Sequence, residues 1–450
     1  IMTPSANFSG LETGVNILDA AVRESLSSKG ILVERTEATD AETGVKVDEV
    51  YITFRASYLN SLAASDTEYS VGFEATDGRH FTGKGTLHIA NTDKAITHID
   101  DVVTEPQPSR EESPMAVLAR EATLTGMLYN PAAASYGFRY RVAGTAEWQT
   151  AEATPAAGKR HRAATRAEGV RYSVKITGLQ PATNYEYKAF ADDFEAKNVY
   201  TFTTESPYVL PNASFEEWGT YSAKTLLGTK TVIFPGTGSE PTFWDSGNEG
   251  AATASKVVTD KSSDMAHSGT YSARLASTSA LGMLAAGNIF IGDYVKTDGT
   301  NGVLSEGRSY NGSHPSKVRV WANYRPGVVD IIMKGNEGFL DFAKGDNDHG
   351  QIYIAITDEP IEIRTNPDNQ KLFDKNDPHV LAYGELTWRE AFGPDGQLQM
   401  AEIPFTYYDR ARTTPARYIV IVSCASKFGD FFSGSSKSVM YLDDFELIYE

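Results

Sequence analysis

Ser438-Val-Met-Tyr-Leu-Asp-Asp-Phe-Glu-Leu-Ile-Tyr-Glu450 closes the chain, and its reading decides the fold. Val439, Tyr441, Phe445, Leu447 and Tyr449 alternate with Ser438, Met440, Asp444, Glu446 and Ile448, a period of two that puts one face of a strand in a core. Leu442 and Ile448 fall on the second face, as expected of a strand covered on both sides. Far upstream stands Asn212-Ala-Ser-Phe-Glu-Glu-Trp218, which is expected to pair with or lie near the closing strand. The two segments then bracket a β-sandwich.

Working outward, 450 residues make about three domains by the usual prior, and 41% hydrophobic residues supply material for several cores. No apolar run is long enough to span a membrane as a helix. The chain opens on Ile1-Met2 without a basic-then-apolar leader, so any export signal is expected to have been removed or never to have existed. A net charge of -18 argues against nucleic acid or an anionic membrane surface as partner. The single cysteine, Cys424, sits in the apolar run Tyr418-Ile-Val-Ile-Val-Ser-Cys424, where it reads as a small core residue rather than a nucleophile.

Residues 1–103 read as a small β-rich domain with one helix. Val15, Ile17, Leu18, Ala21, Val22 and Leu26 recur at helical spacing and Lys29-Gly30 supplies the stop. Strands follow at Ile31–Val33, Val50–Phe54, Tyr69–Phe73 and Gly85–Ile89, with Asp77-Gly78 as a hairpin turn. Thr104 to Pro114, rich in proline and charge, reads as a linker. The second unit, 104–206, has strands at Ala122–Leu128 and Ser135–Val142, and then Gly178-Leu-Gln-Pro-Ala-Thr-Asn-Tyr185-Glu-Tyr187. Its basic run Lys159-Arg-His-Arg162, continued by Arg166 and Arg171, reads as a solvated loop, with an anion-binding patch as the alternative. The third unit, 207–450, has strands at Ser268–Leu275, Lys317–Tyr324, Val328–Met333, Gln351–Ile356, Met400–Phe405 and Arg417–Val422 besides the closing one. Many strands without an intervening helix fit a jelly roll.

The Gly178 to Tyr187 run resembles the corner between the fifth and sixth strands of a fibronectin type III domain. That likeness implies that Tyr185 bonds its hydroxyl back to nearby backbone and that Trp148 fills the central core. Asn212-x-Ser-Phe-Glu-Glu-Trp218, His267-Ser-Gly-Thr-Tyr-Ser-Ala-Arg-Leu275 and Tyr441-Leu-Asp-Asp-Phe-Glu-Leu447, in that order, resemble the galactose-binding-like jelly rolls of carbohydrate-binding modules. More narrowly they resemble the putative carbohydrate-metabolism domain at the C-terminus of surface lipoproteins of Bacteroides-type bacteria. The fold expected is all-β and multidomain: a small β-rich N-terminal domain carrying one helix, an Ig/fibronectin III-like sandwich, and a C-terminal jelly-roll β-sandwich. The resemblance also implies an exported protein anchored at the outer-membrane surface, with signal and anchor outside this sequence.

Sugar sites on sandwiches set an aromatic ring under a pyranose face and amides or carboxylates around its hydroxyls. Trp244, in Phe243-Trp-Asp-Ser-Gly-Asn248, is the first candidate, with Asp245 and Asn248 beside it, then Trp218 and Tyr310; Tyr324 and Trp321 are further aromatics, Trp321 reading as core or sheet face. Packing is the alternative role for each tryptophan. In the resembling modules a structural calcium ties the opening glutamate to the closing aspartate, which here are Glu216 and Asp443, near the Ser268-Gly269 backbone. Asp346-Asn-Asp348-His-Gly350 starts like a calcium loop but lacks the downstream glutamate and reads as a turn. No nucleophile-elbow, zinc-protease or phosphate-loop motif is present. The expected function is non-catalytic glycan binding by the jelly roll, with the N-terminal modules as spacers. Cell adhesion or surface assembly with a protein partner is the alternative, and glycoside hydrolysis by a carboxylate pair is a further one.

Overall fold

The computed structural model describes residues 19–39, 46–54, 65–74, 80–89, 100–130, 133–153, 169–225 and 227–450. Asp19 caps the helix Ala20–Ser28, its carboxylate accepting from the Ala21 and Val22 amides, and Gly30 follows its end at φ 85°. Two antiparallel ribbons follow, Ile31–Thr39 with Lys46–Phe54 and Ser65–Glu74 with His80–Ile89. Val15, Ile17, Leu18, the Asp77-Gly78 turn and the Lys159 to Arg166 basic run lie outside the described residues.

The second unit is a sandwich. Val102–Thr104, Glu121–Leu128 and Val170–Thr177 form one sheet, and Tyr136–Val142, Gln149–Glu152, Asn184–Ala191, Phe194–Glu195 and Tyr200–Thr203 form the other. Glu121–Leu128 alternates strictly between half-buried and buried positions, the signature of one face on the core. Leu124, Phe138, Ile176, Tyr187 and Phe202 fill the space between the sheets. The Tyr185 hydroxyl accepts from the Gln180 amide at 2.9 Å, so the tyrosine corner is formed. Trp148 is not the core tryptophan. It lies half-buried beneath the Arg141 guanidinium, 4.2 Å from its ring, with the Lys188 ammonium 4.7 Å away, while Phe138 and Tyr187 take the centre.

The stretch expected to be a linker is instead a strap. Thr104 already belongs to a strand, and beyond it Ala119 is buried in the C-terminal core with Met115 packed against it. Glu205, almost wholly buried, accepts from the Arg110 guanidinium, from the His314 amide at 2.9 Å and from His314 Nδ1 at 2.7 Å. The Arg120 guanidinium donates to the Tyr449 carbonyl at 2.7 Å. Proline and charge therefore mark a segment held by specific side chains to both neighbours, and the two sandwiches are docked.

In the C-terminal unit two antiparallel sheets face each other. Among the described residues the smaller runs Thr259–Ser262, Ser272–Ala276, Val439–Ile448, Lys317–Arg325, Gln399–Pro404, so the closing strand is central. The larger, nine-stranded sheet is built on Asn301–Glu306, Asn288–Asp298, Tyr418–Cys424, Gly350–Thr357 and Val380–Trp388. Ile289, Ile291, Ile352, Ile354, Ile419 and Ile421 meet Val318, Val320, Leu442, Phe445 and Leu447 in a single core. The closing strand buries Met440 and Leu442, then Phe445, Leu447 and Tyr449. Its phase switches at Asp443-Asp444, where the register with Lys317–Arg325 shifts and Asp444 takes φ 47°. A β-bulge, not burial on both faces, is the reason its alternation is imperfect. The opening segment meets this strand as expected: the Phe445 amide donates to the Ala213 carbonyl at 3.1 Å, and the Phe215 and Phe445 rings lie 6.0 Å apart. Val328–Met333 is not a strand. It follows Pro326-Gly327 and makes only isolated bridges, Val328 to Asn347 and Ile331 to Gly434.

Candidate functional site

Alternation along the larger sheet decides where a ligand could sit. Positions facing the core are isoleucines, and the opposite positions carry Phe290, Tyr294, Leu304, Glu306, Tyr353, Tyr383, Val422 and Cys424. That outer face is the floor of a cavity of about 360 Å³, within the range of small-ligand pockets. Its walls are the Gly247–Ala254 segment, the Thr278–Ala285 hairpin, the loop bearing Leu372 and Phe373, and the loop from Ser426 to Phe432.

Aromatic rings dominate one side. Phe373 lies 4.7 Å from the Tyr353 ring and 5.9 Å from Tyr383, with interplanar angles of 34° and 23°. Polar groups stand among them. The Tyr353 hydroxyl donates to the Glu306 carboxyl, 2.8 Å from each oxygen, while Tyr383 and Gln351 both donate to Glu385 at 3.0 Å. Glu306 is only 4% exposed, and burial pushes its carboxyl up to about 8, with Asp430 adding in the same direction. Asp430 is exposed at the mouth of the cavity, where the protein on either side pushes its carboxyl upward. At neutral pH the floor thus presents a protonated acid beside a phenol, a pair able to donate to or accept from a hydroxyl.

Two lips are strained. Leu281, at the hairpin tip and 67% exposed, takes φ 52°, and Phe432 takes φ 50°; both line the cavity. The Phe432 lip is anchored through Asp348, which is wholly buried. Its Oδ2 accepts from Ser426 Oγ at 2.6 Å, the Ser435 amide at 2.8 Å and Ser438 Oγ at 2.8 Å, and its Oδ1 from the His349 amide at 2.8 Å. The Asp346 to Gly350 turn is thus the mooring of a cavity wall.

The residues expected to touch sugar lie elsewhere. Trp244 is fully buried among Phe215, Phe243 and Phe445, its indole N–H donating to the Pro211 carbonyl at 2.7 Å. It is core because the opening segment folds over it. Asp245 is buried, accepting from the Ser246 and Tyr294 amides, and burial raises its carboxyl to about 7. Asn248 spends its amide on the Ile233 and Thr259 carbonyls and on the Val258 and Thr259 amides. Together they hold the Gly247–Ala254 wall from behind. Trp218 is half-buried, donating to the Phe215 carbonyl at 2.6 Å. Tyr310 donates to the Ser313 carbonyl at 2.6 Å and packs edge-on against Tyr208 at the junction between the sandwiches. Tyr324 is buried in the core, and Trp321 lies on the outer face of the smaller sheet, its ring stacked on His267 at 3.6 Å.

Glu216 and Asp443 both reach the 267–271 loop, but as acceptors. Glu216 Oε1 takes the Thr270 and Tyr271 amides at 2.9 and 2.8 Å. Asp443 Oδ2 takes the His267 and Ser268 amides at 2.7 and 3.2 Å, and its Oδ1 the Asp444 amide at 2.8 Å. Gly269, at φ 63°, lets the loop close on Glu216, since a Cβ there would stand 2.4 Å from the carboxylate. Amide N–H groups point at the oxygens a calcium would need. The residues therefore do not fit a cation between Glu216 and Asp443; the loop backbone fills that role. Among the described residues no group of three or more His, Cys, Asp or Glu side chains is placed to hold a metal ion.

Sequence reasoning missed Glu306, Tyr353, Phe373, Tyr383 and Asp430. The usable signal was Gln351-Ile-Tyr-Ile, in which a tyrosine alternates with two core isoleucines.

Residues 214–448, more than half the chain, match the family model described as a putative carbohydrate metabolism domain, and residues 122–204 match that of the purple acid phosphatase N-terminal domain. Similar solved structures include a putative glycoside hydrolase from Bacteroides vulgatus ATCC 8482, 19% identical over 53% of this chain and 97% of its own, with a TM-score of 0.38. Another, from Bacteroides thetaiotaomicron VPI-5482 and also described as a putative glycoside hydrolase, is 19% identical over 63% and 86%, with a TM-score of 0.37. A structure of carbohydrate-binding modules from the β-sandwich superfamily is 8% identical over 78% and 99%, with a TM-score of 0.21. No curated protein sequence matches the chain. Among the described residues no helix is long and apolar enough to cross a membrane.

Proposed function

Because the chain belongs to the putative carbohydrate metabolism domain family, we propose that it binds a glycan in the cavity on the outer face of its larger sheet. The observation that carries this is the convergence of Tyr353, Phe373 and Tyr383 with Glu306 and Asp430 on one concave surface. Sugar C–H groups lie against aromatic faces while their hydroxyls need donors and acceptors in fixed places, and this surface offers both. Its volume suits a chain end or short saccharide. The N-terminal modules, the second of them fibronectin III-like, act as a stalk on an exported, surface-anchored protein. The strap and the buried Glu205 contacts make the junction next to the binding module stiff.

A glycan array followed by calorimetric titration tests this reading. Phe373→Ala, which removes one ring from a loop, should weaken the bound glycan by about tenfold or more with little change in stability. An array without a single ligand would refute it. A second reading, glycosidic hydrolysis, is favoured by one observation: Glu306 and Asp430 share the cavity with raised affinities for protons, as a general acid requires. Release of reducing ends by the wild type, abolished in Glu306→Gln, would establish it; an inert wild type leaves binding alone.

Glu306 also sets a pH dependence of stability. Its carboxyl has an ordinary value of 4.5 and stands at about 8 when folded, so folding takes up a proton between those values. The contribution is full below about pH 4.5 and is lost as pH rises through about 8. At about 1.4 kcal/mol per unit, Glu306→Gln should raise the unfolding temperature near pH 9 on the order of 10 °C and change it little near pH 5. Calorimetry at both values is the check.

A further inference from the structure

The cavity has two sides of different chemistry. On the ring-bearing side Tyr353 and Tyr383 give their hydroxyls to Glu306 and Glu385, the Lys375 ammonium lies 5.6 Å from the centre of the Tyr383 ring, and the charge of Asp430 reaches Glu306 and Tyr353. The other side is the hairpin of Thr278–Ala280 and Met283–Ala285, which among the described strands pairs only with itself. Leu281 at its tip, exposed and apolar, lines the cavity with Ala280 and Met283, and Ala254 and Phe432 join them from the neighbouring walls. The base of the hairpin is fixed: Ser277 Oγ lies 2.7 Å from Ser426 Oγ, and Gly429 comes so close to Ala286 that a Cβ on it would stand 2.6 Å from the alanine methyl. The polar groups near this wall are spent within the protein. Asn288 Oδ1 accepts from the Gly247 amide at 2.6 Å, Ser426 Oγ donates to Asp348 at 2.6 Å, Lys427 reaches Asp341 at 3.8 Å, and the Cys424 thiol turns to the Gln351 carbonyl at 3.7 Å.

An unsubstituted saccharide filling this cavity would turn hydroxyls towards the hairpin wall, strip them of water and find no partner for them, which costs free energy for each one. An acyl substituent removes the hydroxyl donor and buries a methyl group in its place. Resting on the glycan reading above, we propose that the cavity takes a glycan carrying acyl groups, its sugar ring against Tyr353, Phe373 and Tyr383 and its acyl group against Leu281, Met283 and Phe432. Ala254 and Ala280, small where a bulky side chain would fill the space, leave room for that branch. Preference for the acylated chain then comes from hydroxyls left unpaired in the wrong ligand as well as from contacts to the right one.

The test is an array on which each oligosaccharide backbone is printed acetylated and, after mild alkali, deacetylated. N-acetylhexosamine oligomers stand beside hexose oligomers of the same linkage, so that ester and amide are told apart. The tightest pair is then titrated calorimetrically into the full chain. The acylated member should bind at least tenfold more tightly, the size of effect that a single methylene has in a hydrophobic pocket. Leu281→Ser, at an exposed tip outside the core, should shrink that difference about threefold or more by weakening the acylated member and leaving the bare one unchanged. Equal or tighter binding of the bare member by the wild type, or a difference that Leu281→Ser leaves unchanged, would overturn the acyl assignment while leaving glycan binding intact. Failure of both members of every pair to bind would instead overturn the glycan reading, and this inference with it.

Discussion

Replacing Trp244 with alanine should destabilise the C-terminal sandwich rather than blunt a ligand site. The indole is fully buried, with the Phe215, Phe243 and Phe445 rings 5.2, 5.7 and 5.4 Å away. It joins the opening segment, through the Pro211 carbonyl, to the closing strand, through Phe445. Removing a buried tryptophan costs about 3–5 kcal/mol, from lost transfer energy and the cavity left behind, which in a unit of this size lowers the unfolding temperature on the order of 10 °C. Calorimetry and near-ultraviolet circular dichroism would measure it. Whatever fraction stays folded should bind glycan with wild-type affinity. A Trp244→Ala protein of normal stability and lost affinity would contradict the assignment.

Asp348→Ala should be of similar size by another route. Its carboxyl gathers two serine hydroxyls and two backbone amides in a site with no water access. Deleting the acceptor leaves those donors buried and unpaired, at about 1–3 kcal/mol each before relaxation, so a net loss of roughly 3–5 kcal/mol is expected. The damage should be local first. Ser426, Ser435 and Ser438 lie on the segment that carries Asp430 and Phe432, so amide exchange between 426 and 438 should quicken well before the rest of the sandwich. Glycan affinity should fall with it. Unchanged exchange there would show that the lip does not depend on Asp348. Asp348→Asn, which keeps one acceptor oxygen, should lie between the two.

The architecture was legible because strands announce themselves by period, and the closing strand and the Asn212 to Trp218 segment meet as their sequences suggested. What periodicity could not show was the bulge at Asp443-Asp444, since a phase switch and a strand covered on both sides leave similar patterns. Trp244 looked exposed because glycine, serine and asparagine surround it, yet those residues make the turn that places the ring inward. Glu216 and Asp443 were rightly brought to one loop, but charge alone did not reveal that amides rather than a cation satisfy them. The cavity was hidden for a different reason. Glu306, Tyr353, Phe373, Tyr383 and Asp430 come from five separate segments; the pairing of Gly350–Thr357 with Val380–Trp388 sets Tyr353 near Tyr383, and Glu306 joins their sheet only through Asn288–Asp298 and Tyr418–Cys424. Val328–Met333 misled in the opposite direction, as an apolar run with no neighbouring strand edge to pair with.

The central claim is that the glycan sits on the outer face of the larger sheet. The most direct test is titration of the tightest array glycan into two variants measured side by side, Tyr383→Ala from that face and Trp321→Ala from the outer face of the smaller sheet. The account predicts at least a tenfold loss of affinity for Tyr383→Ala and none for Trp321→Ala. Affinity kept by Tyr383→Ala and lost by Trp321→Ala would place the ligand on the opposite sheet and contradict it.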